Sequence, residues 1–130
     1  VLNKDESFSF CEFGPCSQFD VFYQQAEKQL AKIKKGSKSL KSGNNLDNKV
    51  FCSVLPWLHF TSFSHAKKQK GQDSTPKIVM GKYKNCHTEI AMPVSVEVHH
   101  ALVDGLHVGQ YFEKLQQNFN HFLIATTNAT

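Results

Sequence analysis

The segment His99-His100-Ala101-Leu102-Val103-Asp104-Gly105 gathers the side chains best suited to moving a proton. Histidine has an ordinary pKa near neutrality, so a neutral His100 can take a proton from a substrate hydroxyl and later return it. Such a base must be rigidly presented and held in one tautomer. Asp104 and Gly105 follow with an acidic group and a residue suited to a tight turn. By themselves, two histidines and an Asp-Gly turn also describe the plain closure of a strand.

The flanking residues must do the positioning. Met92-Pro93-Val94-Ser95-Val96-Glu97-Val98 alternates apolar and polar residues, which predicts a strand with one buried face, running from Glu89 to Val98. Continued to His100, the alternation sets that histidine on the face of Val94, Val96 and Val98, beside apolar surface that disfavours its charged form. His99 then points the other way, as a structural residue. From Leu106 the spacing is helical, with Val108, Tyr111, Phe112, Leu115, Phe119 and Phe122 on the buried side. Asp104 stands where a helix N-cap would, and His107 is placed to pack or cap.

Upstream, Phe19, Phe22, Tyr23, Ala26, Leu30 and Ile33 mark an amphipathic helix from Gln18 to Lys35, ended by Gly36, with Lys34 and Lys35 in its last turn. Val50–Val54 reads as a strand that Pro56 bends. Leu58–Phe63 reads as a second strand with Leu58, Phe60 and Ser62 on one face, and Lys77–Tyr83 as a third. Lys84–His87 reads as a hairpin-like turn. Ser37–Asn48 and Ser64–Pro76 are polar connections, and Thr126–Thr130 a frayed end. No internal repeat is visible. Helices mixed with strands joined by turns favour an α+β sandwich over a doubly wound sheet.

A chain of 130 residues with 11 Phe, 3 Tyr and 1 Trp has ample core for one small domain. It has no apolar run of membrane-spanning length and no visible signal peptide. Cys11, Cys16, Cys52 and Cys86 lack metal-ligand spacing and are expected as free, mostly buried thiols in a reducing cytoplasm. The Asn128-Ala129-Thr130 sequon is then a chance match. The net charge of +4 comes from lysines at 28, 32, 34, 35, 38 and 41 and at 67, 68 and 70, with no arginine in the chain. Without arginine or interleaved aromatics, these describe a solvated helix face and a basic loop rather than a nucleic-acid surface.

Three blocks together carry a likeness: Leu55-Pro56-Trp57-Leu58-His59-Phe60-Thr61-Ser62-Phe63, then Met80-Gly81-Lys82-Tyr83, then Met92 through Gly109 with its His-His-x-x-x-Asp-Gly core. In order and spacing they resemble chloramphenicol acetyltransferase, over roughly residues 1–122. The resemblance implies a CoA-dependent acyltransferase-like fold: an α+β two-layer sandwich of a mixed, mainly antiparallel sheet with helices on one side. It implies one partial domain over residues 1–130, since family members extend further at the N-terminus. The implied reaction uses acetyl-CoA as co-substrate, chloramphenicol as acceptor and no metal, in a homotrimer with active sites between subunits, without membrane or nucleic-acid partners.

Residue by residue, the resemblance makes His100 the general base and Ser62 the hydroxyl that hydrogen-bonds the tetrahedral intermediate. No Gly-x-Ser-x-Gly elbow surrounds Ser62, which argues against a serine nucleophile. Asp104 becomes structural support; its family counterpart pairs with an arginine from the N-terminal region, and this chain has none. Val79 stands where the family commonly carries threonine near the drug. Phe10, Trp57 and Phe63 are expected as pocket or core residues on the substrate side. Two other readings compete: a catalytically inert, truncated remnant that only folds or self-associates, and a related dihydrolipoyl-type acyltransferase, whose usual Asp-His doublet is replaced here by His99-His100.

Overall fold

The computed structural model describes residues 1–3, 5–36, 48–65, 74–87 and 89–127, the last six as backbone. The connections expected over Ser37–Asn48 and Ser64–Pro76 lie mostly outside the described residues, as do the Asn128 sequon and the side chain of Phe122. The chain divides into two compact units, Val1–Leu46 and Asp47–Thr130.

The first unit holds helix α1, Phe19–Lys34. Gln18 is extended at its N-cap, and its carbonyl accepts the Phe22 N–H at 3.0 Å. Phe22, Ala26 and Leu30 are half-buried and Ile33 is buried, whereas Phe19 and Tyr23 at the edge of the predicted stripe are exposed. The helix stops where Gly36 takes a φ of +105°, open to glycine at no steric cost, with its N–H on the Ile33 carbonyl. Ahead of it, Leu2 bridges Phe8 and the Ser9 side chain is buried, hydrogen-bonded to Asn3.

In the second unit, β1 (Phe51–Leu55) pairs in parallel with β2 (Lys77–Gly81), Cys52 opposite Ile78 and Ser53 opposite Val79. On the other side of β2 lies β5 (Val94–Glu97), antiparallel, with Val79 opposite Ser95 and Lys77 opposite Glu97. A separate antiparallel hairpin joins β3 (Lys84–Cys86) to β4 (Glu89–Ala91). The expected turn at Lys84–His87 is therefore strand up to Cys86, and the chain turns at His87, whose φ is +54°. The single strand expected over Glu89–Val98 is broken as well. Pro93 has no N–H for a ladder, so β4 ends before it, while its carbonyl accepts the Gly81 N–H at 2.9 Å.

The strand expected over Leu58–Phe63 does not form. Leu55-Pro56-Trp57-Leu58 closes as a turn, the Leu58 N–H on the Leu55 carbonyl at 3.1 Å, with Pro56 at the position its fixed φ suits. Residues 58–65 then return as an irregular strip across one face of the sheet. The Leu58 carbonyl accepts the Lys82 N–H at 2.7 Å and the Phe63 carbonyl accepts the Ser95 hydroxyl at 3.4 Å. The strip covers Val79, which is 1 % exposed. Burying a valine side chain contributes about 1.5–3 kcal/mol, so this small core is a main source of the unit's stability. Gly81 is required beneath the strip: a Cβ there would lie 2.7 Å from the Leu58 carbonyl oxygen and 2.9 Å from the Phe60 ring.

Helix α2 spans Gly105–Thr127, starting one residue before the expected Leu106. Val108, Tyr111 and Leu115 are half-buried on one face, while Phe112 and Phe119, expected inside, are exposed. Tyr111 lies near Cys52 of β1; partial burial first, and the thiol second, push its phenol pKa up. Among the described residues no helix is long and apolar enough to cross a membrane.

Candidate active site

The backbone around His100 is set between β5 and α2. Strand β5 ends at Glu97, and the chain folds immediately into a turn in which the His99 carbonyl accepts the Leu102 N–H at 2.9 Å and the Val103 N–H at 3.1 Å. His99 and His100 are both exposed. The strand alternation expected to set His100 on the Val94–Val98 face therefore does not reach it; a turn presents it instead. What fixes that turn is the start of α2. Asp104 Oδ1 accepts the His107 backbone N–H at 3.2 Å, an N-cap bond of the predicted kind, and the Asp104 carbonyl accepts the Val108 N–H. His107 Nδ1 lies 2.9 Å from the same carboxylate oxygen. The backbone N–H bond first, with the imidazole adding to it, holds the Asp104 carboxyl below the usual carboxylate range.

Ser62 sits exposed on the returning strip. The strip is tied down on both sides of it: at Leu58 and His59 by the backbone of Lys82, with His59 Nδ1 donating to the Lys82 carbonyl at 2.9 Å, and at Phe63 and His65 by β5. Phe60, Phe63 and His65 stack edge to face or tilted along it, at centroid distances of 5.6 and 5.2 Å. Phe63 is half-buried in this row, and Trp57, at the turn before it, is 65 % exposed. Val79 lies in the core under the strip, so its side chain is a packing residue. Phe10 belongs to the first unit, where its ring meets Phe8 edge-on at 5.7 Å.

The structure thus ties the strip of Ser62 and the turn of His100 to one strand, β5. Among the described residues no hydrogen bond joins the two side chains. Sequence reasoning overlooked Ser95, Glu97, His59 and His65. The only trace of Ser95 and Glu97 was the polar half of the 92–98 alternation, which reads as a solvent face. The thiols are less buried than expected: Cys16, Cys52 and Cys86 are exposed and Cys11 is half-buried, all free. Among the described residues no three His, Cys, Asp or Glu side chains converge as metal ligands would.

The fold has a counterpart among solved structures. The chain superposes on a solved chloramphenicol acetyltransferase with a TM-score of 0.78 at 22 % identity, over 89 % of this chain and 56 % of that one, a likeness of fold. The α+β layout is accordingly a CoA-dependent acyltransferase-like fold. Sequence makes the assignment narrower. The family model of chloramphenicol acetyltransferase matches residues 1–116. The chloramphenicol acetyltransferase of Bacillus pumilus is 31 % identical over 122 residues, 93 % of this chain and 56 % of that protein. Chloramphenicol acetyltransferase 3 of Escherichia coli is 31 % identical over 117 residues, 90 % of this chain and 55 % of that protein. This chain belongs to the chloramphenicol acetyltransferase family, and it spans about half the length of the curated relatives it matches.

Proposed function

We propose that this chain carries the acyl-transfer site of a chloramphenicol O-acetyltransferase. The observation that carries the reading is His100, held open in a turn between β5 and an Asp104-capped helix. His100 takes the proton of the drug hydroxyl as its oxygen attacks the thioester carbon of acetyl-CoA. The carbonyl π electrons move onto oxygen, and the Ser62 hydroxyl donates a hydrogen bond to that oxyanion. Collapse re-forms the carbonyl and breaks the carbon–sulfur bond. The CoA thiolate recovers the proton from His100, leaving the acetylated drug and free thiol. No acyl-enzyme is formed.

Asp104 supports this arrangement through the helix start and does not touch substrate. Trp57 and Phe63 offer apolar surface to the drug ring, with Val79 packing behind the strip. The assembly is a homotrimer with active sites between subunits, and the biological outcome is resistance to the antibiotic.

The test is drug-dependent release of free thiol from acetyl-CoA by this chain beside His100→Ala and Ser62→Ala. A general base contributes about 10²–10⁴-fold, so His100→Ala should lose at least that much of kcat. Loss of one oxyanion donor in Ser62→Ala should cost about 10²–10³-fold. Equal release by wild type and His100→Ala would overturn the assignment of the base. No release from folded wild type would make the chain an inert remnant of the family.

A further inference from the structure

Strand β5 positions more than the turn that follows it. Ser95 and Glu97 alternate onto the same face, the one crossed by the returning strip, and each binds it. Glu97 Oε2 accepts the His65 backbone N–H at 3.3 Å and the His65 ring Nδ1–H at 3.2 Å. The two side chains are 29 % and 25 % exposed, so the contact is partly withdrawn from water. A carboxylate taking two N–H bonds from one residue fixes both its backbone and its ring. The His65 ring in turn packs on Phe63, and Phe63 on Phe60. Ser62 lies inside that row. The strip's upstream end is held at Lys82 by one backbone bond and the His59 ring, while its downstream end rests on the Ser95 and Glu97 side chains of β5, and the Ser95 bond is long at 3.4 Å. Lys77, opposite Glu97 in register, keeps a cation on the same face.

We infer that Glu97 is a positioning residue: through His65 it fixes the downstream end of the strip and so aims the Ser62 hydroxyl. Residues of one strand thereby set both reacting groups, His100 by chain continuity and Ser62 by the carboxylate. A donor contributes to catalysis only if its direction is set before the oxyanion forms, so a loosened strip lowers turnover without weakening ground-state binding. The inference rests on the acetyl-transfer reading for its catalytic half; the anchor itself does not.

The experiment compares wild type with Glu97→Ala, Glu97→Gln and Glu97→Asp. Hydrogen exchange of the His65 amide reads the anchor, and thiol-release kinetics read its effect. Glu97→Ala should speed His65 exchange by about tenfold or more, since it removes an acceptor bonded to a partly buried N–H. It should lower kcat about tenfold with KM for both substrates unchanged. Glu97→Gln keeps an acceptor oxygen and should restore both. Glu97→Asp withdraws the carboxylate by one methylene and should move both in the Ala direction, which serves if the Ala variant does not fold. Unchanged His65 exchange in Glu97→Ala or Glu97→Asp would overturn the anchor. Faster exchange with unchanged kcat would overturn the positioning role. Absence of thiol release from wild type would sink the acetyl-transfer reading and the positioning role with it, while the exchange result would still decide the anchor.

Discussion

Asp104 Oδ1 is shared by the backbone N–H and the ring Nδ1 of His107, at 3.2 and 2.9 Å. The carboxylate for which family resemblance calls up an arginine is engaged here by the helix it caps. Because the fold holds this carboxyl below its ordinary value, its contribution is complete above the usual carboxylate range and is lost as the pH falls through the lowered value. Far-UV circular dichroism against pH should show an acid step in α2 helicity. Asp104→Ala should melt at lower temperature and lose the step. Asp104→Asn, which still caps, should keep the helix but lack the step. An unaltered acid profile in both variants would exclude Asp104 as its origin.

Gly81 admits no side chain without moving backbone, because the nearest obstacle is the Leu58 carbonyl oxygen at 2.7 Å. Gly81→Ala should destabilise the second unit by about 1–3 kcal/mol, measured by urea unfolding. Since the strip must lift, the rings of Phe60 and Phe63 should also gain mobility, visible as sharpened aromatic resonances.

Val79→Ala removes two methyl groups from the core beneath the strip. The expected loss is about 2 kcal/mol, from lost transfer free energy and a partly unfilled cavity. Urea unfolding of the variant beside wild type reads that loss.

The long periodic stretches were legible in the residues. The stripe from Phe22 to Ile33 predicted α1 within a residue at each end, and Asp104 was readable as the cap of α2. Alternation overreached in two places. Pro93 divides Glu89–Val98 between two sheets, because a missing N–H outweighs side-chain pattern. Leu58–Phe63 alternates like a strand but lies across the sheet, since Gly81 leaves space above β2 that only a close-packed strip fills. Ser95 and Glu97 were unreadable as anchors because a polar residue facing a strip and one facing water have the same period. His100 was found by residue type and motif, but its exposure depends on β5 stopping at Glu97, which no local periodicity encodes.

The thiols should separate in alkylation. Desolvation pushes the Cys11 and Cys52 thiols up, although Cys52 keeps an exposed surface, and only the thiolate reacts, so both should lag behind Cys86 on the exposed β3 hairpin. Peptide-resolved mass spectrometry over a time course at mildly alkaline pH checks the order. Cys52 labelling first would show that its thiol is not withdrawn from water as its raised value requires.

The parallel pairing of β1 with β2 also has a consequence for the nascent chain. The partner of Phe51–Leu55 is Lys77–Gly81, so β1 leaves the ribosome ahead of the strand it pairs with. At about 5–20 residues per second, that interval lasts on the order of seconds. Meanwhile Phe51, Val54 and Leu55 are available to any other strand edge in the cell. Lys49 on one side and Pro56 on the other bracket this apolar run with a charge and a residue that cannot extend a ladder, the usual gatekeepers against premature adhesion. Replacing either would show first in the yield of dispersed protein, before any change in the finished molecule.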